Sequence, residues 1–302
     1  MPPSPKRLDL PSLLSSWEVG LRAERKSPQT VKSYTTGVTQ YLAYCAAHGR
    51  PAVLDRRTLA LFVDDLLSKG LQASTATSRQ LGVRRFSAWL VEEGELDADP
   101  LLGVKSPKID TKVIEPLVEE QIKALIKACA GKDLRERRDE AIVRFMAETG
   151  ARAGEVVGLA VHDVDVRNGT AIIRRGKGGK GRTVPFGPQT GLALDRYLRT
   201  RRGHSLSDRT DALWLGDRGK GFSYDALHKS LAHRAALAGI EGFRPHLLRH
   251  TAAHRWLAAG GSEGGLMAVA GWTRPDMLLR YTKAQASARA AQEARALGLG
   301  DF

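Results

Sequence analysis

The sequence predicts a mainly α-helical protein with one small β-sheet, made of an N-terminal four-helix domain and a C-terminal α+β domain. Apolar residues recur at helical spacing along most of the 302-residue chain. Two short runs rich in β-branched residues flank a glycine-rich loop and are the only convincing strands. The stretch 101–116 mixes proline, glycine and charge without periodicity, as linkers do. We therefore place the N-terminal domain at 1–103, the linker at 104–116 and the second domain at 117–302.

The N-terminal domain is predicted to contain four amphipathic helices. The second has the strongest signals, because Ser27 can cap its first turn and Pro28 occupies its first helical position. The fourth is predicted to be capped by Ser74 and closed by Gly94, since glycine often ends a helix in the left-handed conformation. The predicted helices span about residues 8–24, 27–45, 56–69 and 75–94.

The fourth helix carries apolar and basic residues on different faces. Leu81, Phe86 and Leu90 are predicted to face the domain core. Such a helix can have an ordinary solvated outer surface, or its basic face can enter or cross a DNA groove. The basic residues, which are DNA-binding candidates, are Arg79, Arg84 and Arg85.

The second domain is predicted to begin with helices at about 118–130 and 134–149, and Gly150 is predicted to end the latter. A short helix carrying ARAGEVVGL follows. Two strands, TAIIRR (170–175) and RTVPF (182–186), are joined by GKGGKG. The remaining pattern is helical and includes the alanine-rich tail AQASARAAQEARAL, which has good helix propensity but little apolar surface. We expect this tail either to fray or to dock on another subunit.

The composition favours a nucleic-acid partner. Lysine and arginine number 47 against 33 aspartates and glutamates, and the net charge is +14, so we expect an extended polyanion rather than an anionic membrane surface. The chain has no apolar run of bilayer length and no signal-peptide core at its start, which predicts a cytoplasmic protein without a membrane partner. The only cysteines, Cys45 and Cys129, are predicted to be buried thiols.

The glycine-rich loop RGKGGKGRT, residues 175–183, nearly fits a nucleotide-binding P-loop. However, Arg182 stands where that motif needs its phosphate-binding lysine, and a strand follows instead of a helix. These departures argue against a nucleotide site. Lys177 and Lys180 then lie at the tip of a β-hairpin, which is either an ordinary solvated turn or an arm that delivers an ammonium group to a phosphate.

The segment RPHLLRHTAAHRW, residues 244–256, places His246, His250 and His254 on one face of a helix. This spacing suggests a metal site, but the segment offers no acidic or cysteine ligand, and Arg249 and Arg255 would repel a divalent cation. We therefore predict no metal. The same segment contains His-x-x-Arg, which is suited to hold an anionic oxygen.

Arg152 allows either a structural or a functional interpretation. It lies three residues before Glu155, so the two can form a local ion pair, or the carboxylate can orient the guanidinium toward two phosphate oxygens. Tyr281, in GWTRPDMLLRYTK, can be a core aromatic beside Leu278 and Leu279, and by itself it does not indicate a function.

In order and spacing, these segments resemble the tyrosine recombinase family, which includes the phage integrases and the Xer proteins. TGARAGEVVGL is similar to the first arginine box of the family, and GKGGKGRTVPF to the hairpin that carries its lysine. HLLRH is similar to the second box and AGWTRPDMLLRYT to the last. The catalytic residues that the resemblance implies are Arg152, Lys177, His246, Arg249, Trp272 and Tyr281, with Glu155 and His250 in supporting roles.

The resemblance implies a SAM-like core-binding domain and a catalytic domain that form a C-shaped clamp on DNA. Arg152 and Arg249 would hold the non-bridging oxygens of a phosphodiester while Tyr281 attacks the phosphorus. His246 would take the proton of the tyrosine and Lys177 would give one to the leaving oxygen. This attack yields a 3′-phosphotyrosyl linkage and a free 5′-hydroxyl, so no cofactor is expected.

The implied partner is double-stranded DNA with specific recombination sites. Exchange between two duplexes needs four active sites, so we predict a monomer in solution and a homotetramer on synapsed DNA. An accessory protein or a partner recombinase is an open alternative. The resemblance leaves open whether the physiological role is integration, excision or dimer resolution.

The chain departs from the family pattern at Trp272, where most members have histidine. An indole N–H donates a hydrogen bond but cannot exchange a proton. Lys180 can replace Lys177 if the hairpin is shifted, and Lys180 and Arg182 are further DNA-binding candidates. The competing functions are a type IB topoisomerase, a catalytically silent DNA-binding regulator and a metal-dependent nuclease.

Overall fold

The computed structural model describes residues 8–109, 114–174, 181–217 and 220–275, together with Leu278 and Arg295. The chain forms two compact units, residues 1–112 and 113–302. The predicted fold class is confirmed, since the described residues are mainly helical with one three-stranded sheet. The division between the units lies in the stretch that the sequence assigns to a linker, while the exact limits 104 and 116 stay a prediction.

The described part of the first unit contains four helices, as the sequence predicted. Ser27 caps the second helix through its side-chain oxygen, which accepts a hydrogen bond from the Thr30 amide at 3.1 Å. Gly94 follows the fourth helix in the left-handed conformation, with φ of 73°. The helices are α1 (Leu10–Ala23), α2 (Pro28–Ala47), α3 (Arg56–Ser68) and α4 (Ala73–Glu92).

The prediction for the start of α4 was wrong. The helix begins at Ala73, so Ser74 lies inside its first turn and Gln72 is the cap residue, without a side-chain hydrogen bond to the helix. Gln72 has extended backbone angles and is followed by alanine, a strong helix former, which allows the helix to start early. The buried face of α4 also differs from the prediction, because Val83 is fully buried and Leu81 only half-buried.

The buried apolar residues of the first unit form two clusters, one where α3 packs on α2 and α4 and one where α1 packs on α2 and α4. Trp17 of α1 packs against Phe86 of α4, and Tyr41 of α2 packs against Phe62 of α3. The basic side of α4 is partly covered. Arg85 is exposed, whereas Arg79 and Arg84 are half-buried.

Two glycines allow α2 and α4 to touch through their backbones. A Cβ atom on Gly37 would lie 2.5 Å from the carbonyl oxygen of Arg79, and one on Gly82 would lie 2.6 Å from that of Tyr34. Both distances are shorter than the closest approach of a Cβ atom and an oxygen atom that are not bonded to each other, so an added Cβ would clash with the backbone. The close approach of the two helices therefore requires glycine at both positions.

Gly82→Ala is expected to lower the stability of the first unit by about 1–3 kcal/mol, the usual cost of overpacking, although alanine favours a helix. Gly20→Ala in α1 is the matched control, because the nearest atom to its added Cβ is the Trp89 indole nitrogen at 3.7 Å. Thermal unfolding of the two variants measures the difference. A Gly82→Ala protein as stable as the control would contradict the backbone contact.

The second unit is built around α6. Ile142, Phe145 and Met146 of this helix are fully buried. Gly150 ends the helix in the left-handed conformation, with φ of 62°, as predicted. The described helices that precede the sheet in this unit are α5 (Glu119–Lys127), α6 (Leu134–Thr149) and α7 (Ala153–Val157). Those that follow the sheet are α8 (Pro188–Arg201), α9 (Tyr224–Leu237), α10 (Pro245–Ala258) and α11 (Glu263–Ala270).

The sheet is antiparallel and has the order β1 (Val164–Asp165), β2 (Thr170–Ile173) and β3 (Arg182–Pro185). The two predicted strands are present but shorter than predicted, because β2 ends at Ile173 and β3 ends at Pro185. The pattern did not predict β1, because two residues are too few to show alternation. Ile173 of β2 pairs with Arg182 of β3, so the loop between them starts from a fixed register.

Both cysteines are buried free thiols, as the sequence predicted. Burial in the second unit raises the pKa of the Cys129 thiol to about 12. Among the described residues, no helix combines the length and the apolar character that crossing a membrane requires.

Candidate phosphate-binding site

Arg152 is held in place by the helix that it precedes. It is the N-terminal cap residue of α7, and its backbone N–H donates to Glu155 Oε2 at 2.9 Å. Its guanidinium donates from Nη1 to Glu155 Oε1 at 2.8 Å. The side chain of Glu155 is only 5% exposed, while that of Arg152 is 25% exposed. The local ion pair that the spacing allowed is therefore present, and the carboxylate fixes a guanidinium that still reaches the surface.

Arg249 connects three elements of the second unit. It lies in α10 and is 2% exposed. Its Nη1 donates to the carbonyl oxygen of Gly150, at the end of α6, at 2.6 Å, and its Nη2 donates to that of Ala270, at the end of α11, at 2.8 Å. Because two main-chain acceptors hold the planar guanidinium, its orientation is fixed in the absence of a ligand.

Three arginines converge on the carboxyl end of α11. The carbonyl oxygens of Val269, Ala270 and Gly271 each accept a hydrogen bond from a different guanidinium. A helix end leaves its last carbonyls unpaired and carries partial negative charge, so it attracts cations. The donors are Arg182 Nε at 2.7 Å, Arg249 Nη2 at 2.8 Å and Arg152 Nη2 at 3.3 Å.

Arg182 lies inside this cluster, where its side chain is 10% exposed. Its Nη1 and Nη2 donate to the two carboxylate oxygens of Glu155 at 3.0 Å and 2.7 Å. Arg182 was a DNA-binding candidate from the sequence, but in the structure its donors are directed at Glu155 and Val269. A signal for this position was available, because Arg182 alternates with the buried Val184 and Phe186 and so shares their inward face.

The ionisation of Glu155 depends on its arginine partners. Burial alone would raise the pKa of this carboxyl group. The hydrogen bonds from Arg182 and from the Arg152 backbone outweigh burial and hold the pKa below its usual value. Glu155 is therefore ionised at neutral pH, and its carboxylate accepts hydrogen bonds from both Arg152 and Arg182.

The histidines of α10 differ in their exposure. His246 is in the first turn and exposed, one turn before Arg249, whereas His250 is buried. Their rings meet edge to face, with centroids 4.8 Å apart. Burial lowers the pKa of His254, which lies one turn further along. Within the described ranges, no group of three or more histidine, cysteine, aspartate or glutamate side chains is arranged to hold a metal ion.

Trp272 packs directly after the end of α11. It is buried in an apolar cluster with Leu257, Leu266 and Leu278. The guanidinium carbon of Arg249 lies 5.3 Å from the centre of the indole ring, within the range of a cation–π contact. The indole therefore supports the guanidinium as well as filling the core.

The structure brings together Arg152, Glu155, Arg182, Arg249 and Trp272, with His246 and His250 on the helix of Arg249. Lys177, Lys180 and Tyr281 lie outside the described residues. The positions that flank them are described, namely Ile173 and Arg182 at the base of the hairpin and the buried Leu278 before Tyr281. The basic residues of α4 belong to the first unit and are not part of this cluster.

Comparison with known proteins identifies both units. The family model described as "Phage integrase family" matches residues 115–288, and the one described as "Phage integrase, N-terminal SAM-like domain" matches residues 14–94. The tyrosine recombinase XerD of Ralstonia nicotianae is 34% identical over 235 residues, which are 76% of each chain.

Two solved structures show the same fold at low sequence identity. The Tn1549 transposon integrase in complex with transposon right end DNA is 18% identical, with a TM-score of 0.71 over 93% of this chain and 98% of that one. A lambda integrase tetramer bound to a Holliday junction is 14% identical, with a TM-score of 0.68 over 90% of this chain and 76% of that one.

Proposed function

The chain belongs to the phage integrase family, the tyrosine recombinases, and we propose which of its residues perform the reaction of that family. As a tyrosine recombinase, the protein cuts and rejoins DNA by site-specific recombination. The residues that we propose to be catalytic are Arg152, Lys177, His246, Arg249, Trp272 and Tyr281, with Glu155 and His250 in support.

The convergence of three guanidinium groups on one helix end is the observation that carries this proposal. Arg152 and Arg249 are fixed before any ligand binds, Arg152 by the carboxylate of Glu155 and Arg249 by the main-chain carbonyls of Gly150 and Ala270. A phosphodiester gains negative charge on its non-bridging oxygens as it is attacked, and fixed donors aimed at that charge stabilise the transition state. The two arginines would bind those oxygens.

The remaining residues would move protons and form the covalent bond. The hydroxyl of Tyr281, with an ordinary pKa of about 10, is mostly protonated at neutral pH and needs a base. His246 is exposed one turn from Arg249 and would accept that proton. Attack on the phosphorus forms a 3′-phosphotyrosyl bond and breaks the bond to the 5′ oxygen, which Lys177 would protonate. Lys180 is the alternative donor on the same loop.

Covalent trapping tests this function directly. We would incubate the protein with a library of nicked duplexes in chelator, denature the mixture and isolate DNA that remains bound. A nick beside the cleavage point lets the short released strand diffuse away, so the covalent intermediate accumulates. Mass spectrometry of the adduct should place the DNA on Tyr281. An adduct on another residue, or none despite DNA binding in the same buffer, would overturn the proposed site.

We propose that the partner is double-stranded DNA with specific recombination sites. The net charge of +14 and the exposed Arg85 on α4 support contacts with many phosphates. Affinity should fall steeply with salt, with a logarithmic slope of about −0.9 for each phosphate contacted. Arg79 and Arg84 are the neighbouring candidates on the same helix.

We further propose a monomer in solution and a homotetramer on synapsed DNA, with or without a partner recombinase. The related lambda integrase forms a tetramer on a Holliday junction, which supports this assembly. The alanine-rich tail, residues 284–297, is the candidate contact between subunits, and Arg295 is its one residue that the structure describes.

Removing the residues after Tyr281 should abolish cooperative assembly on two-site DNA while single-site binding persists, because the truncation leaves both DNA-binding units in place. Gel-shift titration of one-site and two-site duplexes measures this. Cooperative assembly by the truncated protein would show that the contact lies elsewhere.

A further inference from the structure

Arg182 occupies the position at which three parts of the active site meet. It is the first residue of β3 and therefore follows the loop that carries Lys177. Its guanidinium binds both oxygens of Glu155, which also holds Arg152. Its Nε binds the carbonyl of Val269 in the last turn of α11. A side chain with these contacts connects the lysine loop, the first arginine and the helix that precedes Trp272.

The site is shaped to receive this guanidinium. Gly271 adopts the left-handed conformation, with φ of 63°, and a Cβ atom there would lie 2.8 Å from Arg182 Nη1. The pairing of Arg182 with Ile173 fixes the two ends of the loop in register. The contact with Glu155 then ties the base of the loop to α7.

The charges of the cluster give this contact a chemical consequence. If Glu155 were bound by Arg152 alone, the pair would be neutral and would attract a phosphate weakly. Because Arg182 donates to both carboxylate oxygens, it supplies a second positive charge to the pair. The guanidinium of Arg152 can then be oriented by Glu155 without being neutralised by it.

We propose that Arg182 is a positioning residue for strand cleavage, which compensates the charge of Glu155 and fixes the base of the Lys177 loop. It acts through Arg152 and Lys177 and does not itself bind DNA. This inference rests on the proposed assignment of those two residues to the scissile phosphate. It replaces the direct DNA contact that the sequence suggested for Arg182.

A set of variants tests the proposal through the single-turnover rate of covalent cleavage, measured against pH with nicked duplex. The set is Arg182→Gln, Arg182→Lys, Glu155→Gln and the double variant Arg182→Gln/Glu155→Gln. Arg199→Gln is the matched control, since Arg199 is an exposed arginine that pairs with Asp195 within α8. DNA affinity and its salt dependence are measured for each protein.

Arg182→Gln should slow cleavage about a hundredfold, as expected when a catalytic group is misplaced by about an ångström, while DNA affinity stays that of the wild type. The acid limb of its rate profile should move to higher pH. Glu155 is needed in its ionised form, and without Arg182 its burial raises the pKa, so the carboxylate takes up a proton sooner as the pH falls. Arg182→Lys should be intermediate, because it keeps the charge with fewer donors.

The double variant separates action through Glu155 from an independent role. It removes the buried carboxylate that Arg182→Gln leaves with Arg152 as its remaining arginine partner, so it should fold even if Arg182→Gln does not. Its rate should exceed the product of the single effects. Multiplicative effects, an unmoved acid limb, or a loss confined to DNA affinity and its salt slope would each overturn the proposal. Failure of the proposed function is distinguishable, because the wild type would then form no adduct at Tyr281.

Discussion

Replacing Tyr281 with phenylalanine is expected to abolish covalent attachment to DNA and to leave DNA affinity unchanged. The substitution removes only the hydroxyl group whose oxygen would bond to phosphorus, and attack by water would leave no DNA attached to the protein. Affinity depends on the many phosphate contacts made by basic residues, which the substitution leaves intact. Denaturing gels with nicked duplex, run beside gel shifts in the same buffer, give both quantities.

Tyr34→Phe is the matched control for this experiment. Tyr34 lies in α2 and stacks on Trp17 with ring centroids 6.0 Å apart, so phenylalanine keeps the contact and removes the same hydroxyl group. Its adduct yield should equal that of the wild type. An adduct with the Tyr281→Phe protein would place the nucleophile elsewhere, whereas an unchanged biological activity without any adduct would favour a DNA-binding regulator.

Most of the fold could be predicted from local sequence. The limits of α6 were predicted as they are, because the glycine that follows has to adopt the left-handed conformation. The start of α4 was missed by two residues, since Ser74 is a good cap residue in a place where the helix had already begun. The strand β1 was missed because it has only two residues. Errors therefore occur where the signal is a single residue rather than a period.

The candidate site was only partly predictable, for a different reason. The contact between Arg152 and Glu155 is local, so a spacing of three residues was enough to suggest it. The other partners of the arginines are the main-chain carbonyls of Gly150 and of the end of α11, which can belong to any residue type and leave no trace in a sequence. The contact between Arg182 and Glu155 joins positions 27 residues apart, so it could be recognised only once the three-dimensional fold was known.

Two such main-chain acceptors bind the guanidinium of Arg249, and this makes its substitution by lysine informative. Lysine keeps the positive charge but has one nitrogen in place of a planar fork. Its single nitrogen cannot hold the carbonyls of Gly150 and Ala270 with the spacing of the two guanidinium nitrogens and also present a fixed donor to a phosphate oxygen. Charge and geometry can thus be separated at this position.

Arg249→Lys is expected to slow covalent cleavage by about a hundredfold to a thousandfold, the usual loss when one fixed donor to a developing oxyanion is removed. It should also lower stability by about 1–3 kcal/mol, because buried carbonyl groups lose a partner. DNA affinity should change little, since one phosphate among many is affected. Single-turnover trapping, thermal unfolding and gel shifts measure the three effects separately.

Arg255→Lys, in the same helix and exposed, is the control and should match the wild type in all three measurements. If Arg249→Lys folds and cleaves nearly as fast as this control, a positive charge alone is sufficient at this position. The fixed guanidinium would then serve to join the ends of α6 and α11, and the transition state would be stabilised chiefly by Arg152. If cleavage falls while stability and affinity are retained, the orientation imposed by the two carbonyl groups is itself part of catalysis.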